Sequence, residues 1–337
     1  MVTEKILTII IPTYNMEQYI ARCLDSLLIK DNFEILDILV IIDGGKDRSS
    51  EIAHTYQDKY PQVIRVIDKE NGNYGSCINI GLQEAKGKYV RVLDSDDYFN
   101  IKSFQLYINK LIGIDSDMII NPFSIIKNDK IIETNDLLFK KYIEEFTLMS
   151  DRELPSQMHC ITYRKDILSK MKYRQTEGIS YTDTEWCFYP LALVKSVTML
   201  KINVYQYILG RDGQTVEKSI FVNRIYQLQE IVIKMLKYLT SEINLEKNVR
   251  YRMEDYLFSK LVLIYPIGTY SNNKRDLSLL KEIDSLALNY NDNFYSRVKG
   301  ISLVNKLPII KAKHWSTNSI IFRLSYLLIP YLRIIKK

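Results

Sequence analysis

The first 123 residues predict an α/β fold on a mostly parallel, Rossmann-like sheet with helices on both faces. Short β-branched runs alternate with stretches of helical apolar period. The runs are continuously apolar rather than alternating, as strands covered on both faces are. Each run is followed by a polar segment, where a sheet of this kind takes its ligands.

Leu7 to Ile11 reads as a strand ending at Pro12. Gln18 to Ile29 follows as a helix, with Ile20, Cys23, Leu24, Leu27 and Leu28 at helical spacing. The cycle repeats with strand Ile35 to Ile42, helix Ser49 to Tyr60, strand Val63 to Ile67, helix Ser76 to Ala85 and strand Tyr89 to Leu93. Helix Lys102 to Ile112 and strand Met118 to Asn121 complete it. SIIKNDKIIET predicts a hairpin around Asn128 and Asp129, and residues 147 to 220 mix short helices with irregular segments. A mainly helical C-terminal region follows, with Ile225 to Leu239 and Val249 to Ile264 its clearest helices. We expect three parts: 1–220, 221–313 and a basic, apolar tail at 314–337.

The 337 residues are 47% hydrophobic, which excludes disorder as the main state. Lys and Arg number 46 against 40 Asp and Glu, too small an excess for a dedicated nucleic-acid binder. The positive charge is concentrated instead: Asn293 to Lys337 holds nine basic residues and no acidic one. Cys23, Cys77, Cys160 and Cys187 lie far apart without a C-x-x-C pair, so they read as reduced, buried thiols. The apolar run near the N-terminus is too short for a signal peptide or a membrane span, and a cytoplasmic location is expected.

The strongest chemical feature is VRVLDSDDYF, a buried strand that delivers Asp94, Asp96 and Asp97 within four residues. Like charges so close repel unless a cation neutralises them, and Mg²⁺ or Mn²⁺ is held by one or two carboxylates plus substrate phosphates. A solvated acidic turn is the bland reading, and context must decide. Asp43-Gly44-Gly45 is either a plain turn or a carboxylate for a base or ribose. NGNYGS at 71 to 76 opens a helix and could bring N–H groups to a phosphate, yet it matches neither a P-loop nor G-x-G-x-x-G.

Together these pieces resemble the family 2 glycosyltransferases, inverting enzymes with the nucleotide-sugar-binding GT-A fold. The resemblance runs through KILTIIIPTYNMEQYIARCLDSLL, ILVIIDGGKDRSSEIA and KENGNYGSCINIGLQEAKGKYVRVLDSDDYF. It is close in order and spacing over residues 5 to 100 and looser to about residue 216. It implies a nucleoside pocket lined by Pro12, Thr13, Tyr14 and Asp43, with Asn71, Ser76 and Asn79 near the ribose or diphosphate. Asp94, Ser95 and Asp96 would meet the diphosphate, with Asp96 and Asp94 as ligands to Mn²⁺ or Mg²⁺. One departure stands out: the family's paired aspartates after the second strand are here Ile42 and Asp43.

TEGISYTDTEWCFYPLAL at 176 to 193 resembles the family segment that carries the acidic base, for which Asp183 aligns best and Glu185 is a close rival. Either could instead be a helix N-terminal acid. YQYILGRDGQTV resembles the stretch whose Arg, here Arg211, would clamp the diphosphate. His159 and Trp186 are placed on the acceptor side. The implied partners are a nucleotide-sugar donor, with UDP the expected nucleotide, and a saccharide or lipid-linked oligosaccharide acceptor in cell-surface polysaccharide synthesis. The tail HWSTNSIIFRLSYLLIPYLRIIKK either lies on an anionic membrane face, packs on the protein or forms an oligomer interface. The rival readings are a nucleotidyltransferase, whose glycine-rich basic loop IPTYN lacks, and a catalytically silent carbohydrate- or partner-binding protein.

Overall fold

The computed structural model describes residues 4–301 except 149, 151, 152, 212 and 272. They group into two compact units, one ending at Arg211 and the other following it. The first runs β1 (Leu7–Thr13), α1 (Ile20–Asp25), β2 (Leu36–Asp43), α2 (Ser49–Lys59), β3 (Ile64–Lys69), α3 (Asn73–Glu84) and β4 (Tyr89–Val92). It continues through β5 (Tyr98–Phe99), α4 (Ile101–Leu111), β6 (Met118–Ile120), β7 (Phe123–Lys127), β8 (Lys130–Thr134), β9 (Ile143–Thr147) and β10 (Ile161–Arg164). Two short helices, α5 (Lys165–Met171) and α6 (Asp183–Trp186), precede β11 (Ser196–Leu200) and β12 (Tyr205–Ile208).

The main sheet has the order β3-β2-β1-β4-β10-β6-β11-β9, and its first four strands are parallel. Every residue of β1 and β2 is buried, which is why Ile, Leu and Val predominate in them. Pro12 is tolerated inside β1 because the ladder to β4 stops at Ile10, so no N–H is needed on that side. The sheet is mostly parallel, as expected, with two strands reversed: β10 is antiparallel to both β4 and β6, and β9 is antiparallel to β11. β10 is hard to read in MHCITYRKDIL because the run is short and its central Thr162 is polar. Thr162 lies opposite Arg91 and accepts a hydrogen bond from its guanidinium.

Helix α1 is half the predicted length. Ser26 Oγ donates to the Cys23 carbonyl at 2.6 Å and accepts from Phe99 N at 3.0 Å, and the chain then tightens into i→i+3 turns. Helix α3 begins earlier than expected, at Asn73. A second sheet, β5-β12-β7-β8, carries the expected hairpin; Asn128 and Asp129 adopt φ of 50° and 58°, as a type I′ turn requires. Far from the carboxyl ends of the strands, buried Asp37 on β2 accepts from Thr8 Oγ1 at 2.7 Å and pairs with Arg65 at 3.0 Å. All four cysteines are buried and free.

The second unit contains α7 (Lys218–Ser241), α8 (Lys247–Tyr270), α9 (Lys274–Tyr290) and α10 (Asp292–Lys299). The first two are longer than their sequence periods suggest, and α8 runs through Pro266. Helix α7 packs on α8 and α9, and α10 packs on α9. Gly268 permits a close approach there, since a Cβ would come 2.4 Å from Gln229 Nε2. The tail 314–337 lies outside the described residues. Among those described, no helix is long and apolar enough to cross a membrane.

Candidate active site

β1 lies between β2 and β4 in parallel, so their carboxyl ends adjoin, and Ser95 Oγ ties the ends of β4 and β1 by donating to the Pro12 carbonyl at 2.9 Å. Thr13 is buried beside it, and Tyr14 is 50% exposed at the rim. The loop after β2 is bound to the loop after β1: Lys46 N donates to Asn15 Oδ1 at 2.9 Å, and Met16 N to Ser49 Oγ at 2.7 Å. Gly45, at φ 120°, takes a conformation that a side chain rarely adopts, and a Cβ would lie 2.8 Å from Asn15 Oδ1.

Buried Asp43 closes β2. Its Oδ1 pairs with Lys69 Nζ and accepts from Gly72 N at 2.9 Å, while Asn71 Nδ2 donates to its carbonyl at 2.9 Å. The loop that opens α3 is therefore tied to the end of β2, and the single carboxylate of this pocket already has a cation beside it. Ser76 and Asn79 are less available than the sequence implies. Ser76 Oγ donates back to the Asn73 carbonyl at 2.6 Å, and Asn79 spends its amide on Gln175 and Glu177. Both are buried, and both order the loop rather than face an open pocket.

The three aspartates after β4 have different environments. Asp94 Oδ1 accepts from Tyr74 OH at 2.8 Å, and its backbone N donates to Tyr205 OH at 3.2 Å. Asp96 makes a forked pair with Arg211, Nε at 2.9 Å and Nη2 at 2.8 Å from Oδ2. Asp97 is fully buried and accepts from Tyr205 OH and Ile208 N, each at 2.7 Å, which pins β12 beneath the run. Burial, reinforced by the Asp96 charge, pushes the Asp94 carboxyl up to about 7. Burial and the charges of Asp96 and Asp94 raise Asp97 as well.

His159 lies beside the acidic run. Its ring lies against Phe123 at 5.0 Å, Tyr205 at 4.8 Å and Tyr207 at 4.7 Å, and its donor atoms fall within 4.8 Å of those of Asp94 and Asp97. Burial, helped by the Arg91 charge, lowers it to about 3, so the imidazole is neutral, and its Nδ1 is buried without a partner. Two carboxylates that burial drives towards protonation and a neutral imidazole form a donor set that fits a hard or borderline divalent cation.

On the facing side, Tyr181 at φ 66° turns the chain into α6. That is an unfavourable conformation for an aromatic residue, of the kind that clusters at functional sites. Asp183 opens α6 partly exposed, and its charge is felt at Asp94 and Tyr74. Glu185 is 2% exposed; its two oxygens accept from Thr176 N at 2.7 Å and Thr176 Oγ1 at 2.8 Å. Trp186, expected at the acceptor, is 1% exposed and packs edge-on against Tyr163 and Tyr173, so it is a core residue. Sequence reasoning missed Tyr74, Lys69 and Tyr205 and gave Asp97 no separate role. Only Asp97 carried a signal, as part of the acidic run.

Residues 8–171 match the family model described as Glycosyl transferase family 2. An uncharacterized glycosyltransferase of Mycoplasma pneumoniae is 42% identical over 119 residues, 34% of this chain and 38% of that protein. EpsJ of Bacillus subtilis, named as an uncharacterized glycosyltransferase, is 41% identical over 100 residues, 30% of this chain and 28% of EpsJ. The chain thus spans well under half the length of these relatives. The crystal structure of Staphylococcus aureus TarS 1–349 in complex with UDP-GlcNAc is similar with a TM-score of 0.68 and 18% identity, over 97% of this chain and 92% of that one. That likeness is one of fold, and it is the GT-A fold.

Proposed function

We propose that this chain, whose residues 8–171 form a glycosyl transferase family 2 domain, moves a sugar from a nucleotide diphosphate to a hydroxyl of a saccharide acceptor with inversion at the anomeric carbon. What supports this is the acidic run at the end of β4 together with Asp183 at the start of α6, whose charge adds to the upward push on Asp94. A UDP-sugar is the favoured donor, a choice supported by the UDP-GlcNAc held by the TarS structure of the same fold.

In this reading Pro12, Thr13, Tyr14, Asp43 and Asn71 border the nucleoside, and Asp94 and Asp96 would hold Mn²⁺ or Mg²⁺, with His159 and Asp97 beside Asp94. The ion, when bound, neutralises the charge that develops on the leaving diphosphate. Arg211 sits against Asp96 and is positioned to move its guanidinium onto a phosphate. Asp183 accepts the proton of the acceptor hydroxyl as that oxygen attacks the anomeric carbon and the bond to the diphosphate breaks. Because the attack comes from the opposite face, no covalent sugar–protein species is needed.

The acceptor we favour is a lipid-linked oligosaccharide of a cell-surface polysaccharide, reached at the cytoplasmic membrane face by the basic tail 314–337. In this reading residues 1–220 are the catalytic part and 221–313 its helical companion. The test is incubation of the protein with UDP-, GDP- and CDP-sugars and Mn²⁺. Release of UDP and free sugar supports the proposal, whereas pyrophosphate release points to a nucleotidyltransferase and inertness to all donors points to a binding protein. Loss of liposome binding on removal of 314–337 would support the membrane assignment, and retained binding would refute it.

A further inference from the structure

The sequence offers Asp183 and Glu185 as rival bases, and the structure separates them. Asp183 opens α6 partly exposed, while Glu185 is buried with its oxygens on Thr176. Thr176, which fills both Glu185 oxygens, belongs to a segment that is held from its other side by α3. Asn79 binds Gln175 as a backbone would, with Oδ1 accepting from Gln175 N at 2.8 Å and Nδ2 donating to Gln175 O at 3.0 Å. The same Nδ2 reaches Glu177 Oε1 at 2.8 Å, and Gly178 N donates to Gly72 O at 2.9 Å. The approach is so close that a Cβ on Gly75 would come 2.1 Å from the Thr176 carbonyl oxygen.

Segment 174–178 is therefore gripped by the donor loop and α3 on one side and by α6 on the other. Between it and α6 lies the strained Tyr181, a conformation that persists only where the surroundings over-determine it. We infer that Glu185 is a positioning residue: with Asn79 and Gly75 it clasps segment 174–178 and thereby fixes Asp183 relative to the loop that opens α3. The inference rests on Asp183 as the base. It assigns Glu185 no proton transfer, because the side chain is buried and each of its oxygens accepts a hydrogen bond from Thr176.

The chemistry of the two side chains makes the test sharp. A Gln at 185 can keep both contacts, accepting from Thr176 N and donating to the Thr176 hydroxyl, while it cannot act as a base. An Ala can do neither. UDP release from UDP-GlcNAc with Mn²⁺ is followed as kcat and KM, alongside UDP binding by calorimetry and thermal unfolding. Glu185→Ala is expected to lower kcat by about 10²-fold, the cost of misplacing a reacting group by roughly 1 Å. KM and UDP affinity should move by less than about threefold, and Glu185→Gln should restore kcat to within a few-fold of the original. Thr176→Val, which removes only the hydroxyl, should lower kcat in the same direction by a smaller factor and serves if Glu185→Ala unfolds.

Loss of turnover in Glu185→Gln, with UDP binding and unfolding unchanged, would make Glu185 a chemical participant and overturn the inference. Full turnover in both Glu185→Ala and Thr176→Val would also overturn it. Asp183→Asn run in parallel keeps the two readings apart, because undiminished turnover there overturns the assignment of the base itself. A parent chain inert to UDP-, GDP- and CDP-sugars alike overturns the glycosyltransferase reading beneath both.

Discussion

Tyr74, on the first turn of α3, donates its phenolic hydrogen to Asp94 across 2.8 Å, joining the loop after β3 to the acidic run after β4. That bond favours the ionised carboxylate and opposes the burial and Asp96 repulsion that push Asp94 up to about 7. A proton and a metal ion compete for the same oxygens. Affinity for Mn²⁺ should therefore rise by up to about tenfold per pH unit below 7 and level off above it. Tyr74→Phe should move the midpoint to higher pH, since the bond that lowers it is gone. Mn²⁺ titrations by electron paramagnetic resonance from pH 5.5 to 8.5 measure this, and a midpoint that stays in place would exclude Tyr74 from the cation site.

The same shift has a consequence for stability without metal. The folded Asp94 holds its proton more tightly than the unfolded one, whose ordinary value is 3.8. The folded state thus binds more protons between about 4 and 7, and stability should fall as pH rises through that window. Asp94→Asn removes the titration while keeping the shape. Urea unfolding at pH 4.5 and 7.5 should show a smaller loss for Asp94→Asn than for the parent, and an equal loss would assign the pH dependence to other groups.

Asp96 is buried against Arg211, which is itself partly exposed and can rehydrate when the pair is opened. Asp96→Ala should abolish the Mn²⁺-dependent gain in UDP affinity while the protein still unfolds cooperatively. Arg211→Lys keeps the charge but loses the fork, and should weaken UDP binding by less than Arg211→Ala does. Calorimetry with and without Mn²⁺ checks both, and a full metal-dependent gain in Asp96→Ala would remove this residue from the ligand set.

Much of this was legible in the sequence because it rests on local pattern. A run such as Ile9 to Ile11 makes a strand buried on both faces, and Asp94 to Asp97 must emerge together after β4 whatever the tertiary fold. The residues that illegibility hid are those whose role comes from distant partners. Tyr205 reaches Asp97 across 108 positions and Arg211 reaches Asp96 across 115, and no periodicity near residue 205 marks such a meeting. Glu185 and Asp183 look equivalent on a four-residue helix. Only the path of segment 174–178 decides which faces the site and which holds the loop. The surroundings of His159 were hidden for the same reason, since three aromatic rings from β7 and β12 enclose it.

At the end of the sheet remote from the site, Asp37 provides a test of fold without function. It is 3% exposed and holds Arg65 at 3.0 Å, Thr8 Oγ1 at 2.7 Å and Lys86 N at 3.1 Å, so it joins β1, β2, β3 and the turn before β4. Removing one partner of a buried pair leaves the other charge uncompensated and costs about 3–5 kcal/mol. Arg65 is partly exposed and can rehydrate, and Lys86 N keeps Thr8 Oγ1 as an acceptor, so the loss in Asp37→Ala should sit near the lower figure. Urea unfolding should show it as a fall in midpoint without a change in slope. UDP affinity below the unfolding transition should be unchanged, because no residue of this cluster reaches the carboxyl ends of the strands. A parallel loss of UDP binding in the folded protein would mean that the two ends of the sheet are coupled, contrary to the separation of scaffold and site described above.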